Sequence, residues 1–337
     1  MGLEIWAWGR AIAEIEDDFS TMLRMQLGGD KATNLPGEFY VALEHDPEKL
    51  RKISPHIPRA NRMLVVFEPK SVNPSQHTRR IRNKYGCIVI ISEGHRMSKD
   101  DILWDYGVLP TPEIVAETIS RNVARIGNRE FEIGLINENK FSTNVDEAYT
   151  LRQRLIKKLG KTEHQIAVAG ANWDKGFIWY AAKQTYAMLI QLLGGHLPRI
   201  SKLRLPFSRA DRRRVAFLGR VETQVGFLSR CSYSLVIENE ATYVTEKLFN
   251  ALLAGSVPLY IGPYLKQYDI PEFVATNLSK PYIESIETAL QISLEDQIRW
   301  EQGIYEWLTL PATQERWGLD PSAKRLAKIV KLFVSSQ

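Results

Sequence analysis

Tyr233-Ser-Leu-Val-Ile237, Glu238-Asn-Glu-Ala-Thr-Tyr-Val244, Thr245-Glu-Lys-Leu-Phe-Asn-Ala-Leu-Leu-Ala254, Gly255-Ser256 and Val257-Pro-Leu-Tyr-Ile261-Gly262-Pro263 follow one another without a gap. They read as a strand, a polar loop, a helix, a stop and a second strand closed by a Gly-Pro turn. Both strand runs are predominantly apolar. The intervening run is rich in Leu and Ala, opens on a threonine that can cap it and ends at a glycine that can stop it. The segment is one βαβ unit, which fixes parallel strands and a crossover helix.

Outward from it, short apolar runs recur at residues 63–67, 87–91, 131–136, 166–169 and 215–218, separated by polar segments of helical composition. Alternation of this kind is the pattern of a parallel sheet with helices on its faces. Seven runs are too many for one doubly wound sheet of five or six strands, so the expected fold is α/β with two Rossmann-like domains. Residues 118–128 read as a helix closing the first of them, which places the boundary before Phe131. The expected organisation is residues 1–130, residues 131–310 and a C-terminal basic helix in 311–337. Near the N-terminus, Ile12, Ile15, Phe19, Met22 and Leu23 recur at helical spacing and predict an amphipathic helix ending near Gly28.

The chain has 337 residues, 44% hydrophobic and 25% charged, which excludes a disordered tail and a miniprotein. Its longest apolar runs, about five residues, fall far short of the ~20 that cross a bilayer. Glu14, Glu16, Asp17 and Asp18 follow an N-terminus that lacks the basic start of an export signal. Two cysteines allow one disulfide at most, and a reducing cytoplasm is the expected compartment. The net charge of +5 favours anionic partners in general. In the tail, cations at 324, 325, 328 and 331 alternate with apolar residues at 326, 329, 330, 332 and 333. That helix reads either as one packed on its own protein or as a peripheral attachment to the inner face of an anionic membrane.

No G-x-G-x-x-G, P-loop, H-E-x-x-H, G-x-S-x-G or Asp-x-Asp motif occurs, and the six histidines are scattered singly. What remains is the crevice of the βαβ unit. Thr245 can cap the helix, the free N–H groups there form an anion site, and Lys247 adds a full charge. Glu238, Asn239 and Glu246 stand at the same strand end, where a carboxylate can accept from a ribose diol. Taken alone, the same residues are equally a plain cap with a surface ion pair. Arg152 and Arg154, after the strand 131–136, are one pair of candidate phosphate contacts, or else a solvated basic helix face. Glu68, directly after the strand 63–67, is placed either to act as a general base or to begin a turn.

The segment 233–263 resembles the family 10 glycosyltransferases, the α1,3/α1,4-fucosyltransferases. The resemblance rests on Ile237-Glu238-Asn239, Tyr243-Val244-Thr245-Glu246-Lys247, Ala254-Gly255 and Val257-Pro258 through Gly262. It extends to Leu151-Arg152-Gln153-Arg154 and to Gly219-Arg220-Val221 upstream, to residues 268–274 and Trp300 downstream, and in the first half to residues 62–69. The resemblance implies a GT-B fold, two Rossmann-like domains facing each other across a cleft, with the acceptor on the first and GDP-fucose on the second. It implies Lys247 and Arg152 at the diphosphate, Glu246 and Asn239 at the ribose and nearby donor atoms, and Tyr243 lining the donor pocket. Glu68 would take the proton from the acceptor hydroxyl, giving inversion from a β-linked donor to an α-fucoside.

The expected activity is therefore an inverting fucosyltransferase of bacterial type. Its donor is GDP-fucose and its acceptor an oligosaccharide or glycolipid, such as GlcNAc of a LacNAc-type or surface polysaccharide. No cofactor or resident metal is expected, and a divalent cation would at most stimulate. A GT-B enzyme with another nucleotide sugar is the second reading. From a different class, the basic run Arg209-Ala-Asp-Arg-Arg-Arg214 and eight tryptophans would suit a glycan- or nucleic-acid-binding module.

Overall fold

Two parallel sheets account for every apolar run picked out above. The computed structural model describes residues 3–7, 19–28, 38–67, 76–91, 96–123, 125, 127–141, 148–193, 204–208, 214–240 and 242–336. Glu68, residues 12–18 of the N-terminal helical pattern and residues 209–213 of the basic run lie outside the described residues. By internal contacts the chain divides into two units, Met1–Pro112 with Leu308–Gln337, and Glu113–Trp307.

The first unit is built from β1 (Leu3–Ala7), α1 (Phe19–Leu27), β2 (Phe39–Leu43), α2 (Pro47–Ile53), β3 (Arg62–Val66), α3 (Arg79–Arg82), β4 (Cys87–Ile90) and β5 (Ile102–Leu103). The strands lie in the order β1-β2-β3-β4-β5, each pair parallel. Alternate residues separate two cores, as a period of two demands. Phe39, Val41, Leu43, Met63, Val65 and Val89 pack with Phe19 and Leu23 of α1. Tyr40, Ala42, Leu64, Val66, Ile88 and Ile90 pack on the other face with Leu50 and Ile53 of α2.

The second unit runs from α4 (Pro112–Val123) through β6 (Phe131–Ile136), α5 (Tyr149–Leu159), β7 (Ile166–Ala169), α6 (Phe177–Leu193), β8 (Val215–Gly219), α7 (Gln224–Leu228), β9 (Cys231–Ile237), α8 (Glu246–Leu253), β10 (Val257–Ile261), β11 (Thr276–Asn277) and α9 (Tyr282–Ala289) to α10 (Leu294–Thr309). Its sheet order is β11-β10-β9-β6-β7-β8, parallel throughout. Counted from β6, that is the dinucleotide-fold order 3-2-1-4-5-6, in which the winding reverses between the first and fourth strands. The reversal falls between β6 and β9. There Gly134 must be glycine, because a Cβ would collide with the Cys231 sulfur. Pro258 is tolerated in β10 because β11 begins pairing one residue later, at Leu259.

The helix read from sequence over residues 118–128 as closing the first unit is α4, ending at Val123; it falls in the second unit, where the Asn122 side-chain amide donates to the Leu253 carbonyl at the end of α8 (2.8 Å). Arg129 ties the same region together, donating to the carbonyls of Cys231 (2.7 Å) and Gly255 (2.7 Å) and to Glu301 (2.9 Å). Burial pushes the Glu301 carboxyl up to about 7 despite that arginine.

The tail forms α11 (Pro311–Trp317) and α12 (Leu319–Ser335), and α12 returns to the first unit. Leu326, Val330 and Phe333 are buried against β2, β3 and α1. Undocking α12 would forfeit about 2 kcal/mol for each of those three side chains. Each lysine brought to an anionic bilayer would return about 1 kcal/mol. Packing wins, so the membrane reading of residues 324–333 is corrected to that of a core helix with a solvated basic face. Among the described residues no helix is long and apolar enough to cross a membrane.

His164, one of the singly scattered histidines, bridges the amino edge of the second sheet to α9. Its Nδ1 lies 2.7 Å from Glu132 and its Nε2 2.9 Å from Glu287. Burial lowers its pKa, but the two carboxylate hydrogen bonds outweigh it and the net shift is upward from 6.5. A raised histidine pKa stabilises the fold fully below the unfolded value, and the benefit disappears as pH rises through the folded value. His164→Gln is therefore expected to cost about 1 kcal/mol near pH 6 and almost nothing by about pH 9. Urea unfolding of both proteins at the two pH values measures it, and an equal loss at both would contradict the ionic role.

Candidate functional site

The reversal between β6 and β9 opens a crevice at the carboxyl ends of those strands, because the flanking helices leave toward opposite faces. Asn137 follows β6, and Glu238 and Asn239 follow β9. Arg152, reaching in from α5, spans the gap. Its Nη1 donates to Asn137 Oδ1 (3.2 Å), and its Nη2 donates to Asn239 Oδ1 (2.7 Å) and to the Ile237 carbonyl. The guanidinium also stands 5.2 Å from the Tyr149 ring. Arg152 is 1% exposed, the largest side chain among those fully buried.

Arg154 does not join it. Two residues along a helix turn through about 200°, so Arg154 emerges on the far side of α5, exposed. The two arginines expected as a pair are divided between a buried clasp and a solvated face.

From Asn239 the chain passes to Tyr243 and Thr245, both buried, and then into α8. Thr245 caps that helix, its hydroxyl accepting from the Lys247 N–H (3.4 Å). Glu238 holds the loop from inside. Its Oε1 accepts from the Thr245 N–H (2.9 Å), and its Oε2 accepts from the Thr245 hydroxyl (2.6 Å) and lies 3.4 Å from Lys247 Nζ. Lys247 Nζ also donates to the Thr245 hydroxyl (3.0 Å). Glu238 is thus a buried brace with its oxygens facing the protein, and it is corrected from a candidate ribose contact to a support. Glu246 is half-buried on the first turn of α8 and makes no hydrogen bond or ion pair with any described residue. It has the free acceptor that Glu238 lacks.

The structure brings Arg152, Glu238, Asn239, Tyr243, Thr245, Glu246 and Lys247 to one strand-end crevice. Sequence reasoning missed Asn137, whose side chain receives Arg152. Its signal was position alone, the first residue past the strand at which the sheet reverses. It missed Gly170 as well, which has φ 115° and sits where a Cβ would strike the Asn137 carbonyl. Among the described residues no group of three or more His, Cys, Asp or Glu is placed to hold a metal ion.

No family model matches the chain. Over 71 residues it is 42% identical to a fucosyltransferase-like protein of Arabidopsis thaliana, a match covering 20% of this chain and 13% of that protein. Over 44 residues it is 48% identical to 4-galactosyl-N-acetylglucosaminide 3-alpha-L-fucosyltransferase 9 of Mus musculus, 12% of each. The chain thus matches 12 to 13% of the length of these curated relatives. Among solved structures, an α-glucosyltransferase in complex with UDP and a 13-mer DNA aligns over 97% of this chain and 90% of its own. The TM-score is 0.51 at 10% identity, a likeness of fold. A fold shared over nearly the whole length, with a short stretch in common with fucosyltransferases, places two Rossmann-like units of the GT-B class in this chain and supports its resemblance to the family 10 glycosyltransferases.

Proposed function

We propose that the protein is an inverting glycosyltransferase that moves L-fucose from GDP-β-L-fucose to a hydroxyl of a glycan acceptor. The observation that carries the reading is the loop from Glu238 to Lys247. It lies at the reversal point of a 3-2-1-4-5-6 sheet and presents a cation at a helix N-terminus. The short identity with fucosyltransferases supports the choice of sugar.

In this reading the diphosphate lies against the first turn of α8. Free N–H groups and Lys247 meet the charge that grows on the leaving GDP, so that ordered donors do the work a metal does elsewhere. Glu246 and Asn239 hold the ribose and nearby donor atoms, and Tyr243 lines the pocket. Glu68 acts as general base: the acceptor oxygen attacks the anomeric carbon as its proton passes to the carboxylate, and the bond to GDP breaks. Arg152, buried as it is, acts as a positioning residue that sets Asn239 and the start of the loop. The acceptor is an oligosaccharide or glycolipid, such as a GlcNAc of a LacNAc-type or surface polysaccharide, and the enzyme works in the cytoplasm.

Lys247→Ala is expected to weaken GDP binding by about tenfold, one charge-assisted contact. Glu68→Ala is expected to bind GDP as the wild type does and to lose turnover by about 10²-fold or more. Titration calorimetry with GDP and UDP, and GDP release from GDP-fucose with β-galactosyl-N-acetylglucosamine acceptors, measure both. Preference for UDP would shift the donor to another nucleotide sugar, and absence of nucleotide binding would remove the reading.

Arg152→Lys keeps the charge but loses the planar fork, so it cannot serve Asn137, the Ile237 carbonyl and Asn239 together. The expected cost is about 2 kcal/mol of stability, from buried acceptors left unpaired. Urea denaturation checks it, and a loss under about 0.5 kcal/mol would show that the clasp is not structural.

A further inference from the structure

An amphipathic helix on a water-soluble surface turns its apolar stripe to the core and its polar side to solvent. Helix α6 does the reverse. On its inner side the Tyr180 hydroxyl accepts from Asn139 Nδ2 (2.6 Å) and Gln153 Nε2 (2.9 Å). There too, Gln184 exchanges hydrogen bonds with the backbone of Arg204, donating to its carbonyl (2.7 Å) and accepting from its N–H (2.6 Å). Its outer side carries Phe177, Ile178, Tyr186, Met188, Leu189 and Leu192, all exposed, with Ile178 at 85% and Leu189 at 52%. At 100° per residue, Ile178, Leu189 and Leu192 lie within about 60° of one another, flanked by the other three. An exposed apolar stripe of this length marks an interaction surface.

Charge selects the occupant. From Lys175 to the end of α6 at Leu193 the sequence has no Asp or Glu, while Lys175 and Lys183 are exposed cations. A second copy of the chain would set those cations against their own like, which costs affinity. A bilayer with anionic headgroups takes both halves of the pattern, accepting apolar side chains at the acyl boundary and cations among the phosphates.

We infer that α6 is an interfacial anchor, lying in the surface of an anionic membrane with its Ile178–Leu189–Leu192 stripe in the acyl boundary. The surface belongs to the second unit and is independent of the C-terminal helix, whose apolar face is already buried.

The test is flotation of the full chain with vesicles of phosphatidylcholine alone and of phosphatidylcholine mixed equally with phosphatidylglycerol. Wild type is expected to float with the mixed vesicles and not with the neutral ones. Ile178→Asp/Leu189→Asp should reduce that binding about tenfold or more. Both side chains are exposed, so the thermal melting curve should not move and serves as the check on folding. Replacing Lys324, Lys328 and Lys331 by Gln should leave vesicle binding as it is. Failure of wild type to float with the mixed vesicles, or equal binding by the Asp variant, would overturn the inference. So would loss of binding in the tail variant alone, or a wild-type dimer by light scattering that the Asp variant dissolves, since the occupant would then be a second copy.

Discussion

A guanidinium in the interior is tolerated only if its donors are met, because a buried unpaired charge costs several kcal/mol. Arg152 meets that condition at the one place in the second sheet where the winding reverses. β6 and β9 are neighbours there, but their crossover helices depart to opposite faces, so nothing in the backbone ladder covers the gap beyond their carboxyl ends. The arginine fills it from the side, linking Asn137, the Ile237 carbonyl and Asn239. A lysine or an apolar residue could fill the space but could not address three acceptors on two strands at once. The rest of the site follows from it. With Asn239 fixed, the loop has a defined departure, and Glu238 fixes its arrival by accepting both the N–H and the hydroxyl of Thr245.

That arrangement also sets the electrostatics. Lys247 stands beside Glu238 at 3.4 Å, long for an ion pair, with the Thr245 hydroxyl at 3.0 Å. The pair is close enough to keep the ammonium from swinging into solvent and loose enough that a doubly charged phosphate group can compete for it. The N–H groups of the first turn of α8 add a partial positive charge in the same direction. In the proposed transfer, donors held in place before the nucleotide arrives would lower the reorganisation needed as charge develops on the leaving group.

Much of this was legible beforehand. The strand, loop, helix and stop read in residues 233–261 are β9, the Glu238 loop, α8 with its Thr245 cap, and β10 after Gly255 at φ 62°. Local chemistry decides each of those, so one dimension suffices. What escaped the sequence was mostly long-range. β1 and β2 were not read as strands, although local signals suffice for β2: Phe39-Tyr-Val-Ala-Leu43 has the composition of a strand and stands between Pro36-Gly37 and Asp46-Pro47. The two-residue β5 and β11 exist through their neighbours rather than through propensity. Arg152 and Arg154 looked equivalent in the chain, and only the rotation of α5 separates a clasp from a surface charge. Glu238 and Glu246 likewise read as interchangeable carboxylates until the loop turned one inward.

Amphipathic helices show the same limit in its sharpest form. A helical pattern states which side chains share a face, but the sign of that face, inward or outward, belongs to the tertiary structure. The tail, with its alternating lysines and aliphatics, has the composition of a membrane-surface helix, yet Leu326, Val330 and Phe333 complete the core over β2 and β3. Helix α6 is rich in apolar residues, yet the buried network of Asn139, Gln153 and Arg204 behind it demands polar partners. Those buried groups must be satisfied at about 1–3 kcal/mol each if left unpaired. Tyr180 and Gln184 are therefore drawn inward, and Ile178, Leu189 and Leu192 are left on the outside. Polar satisfaction in the interior, rather than hydrophobic burial, decides which way that helix faces.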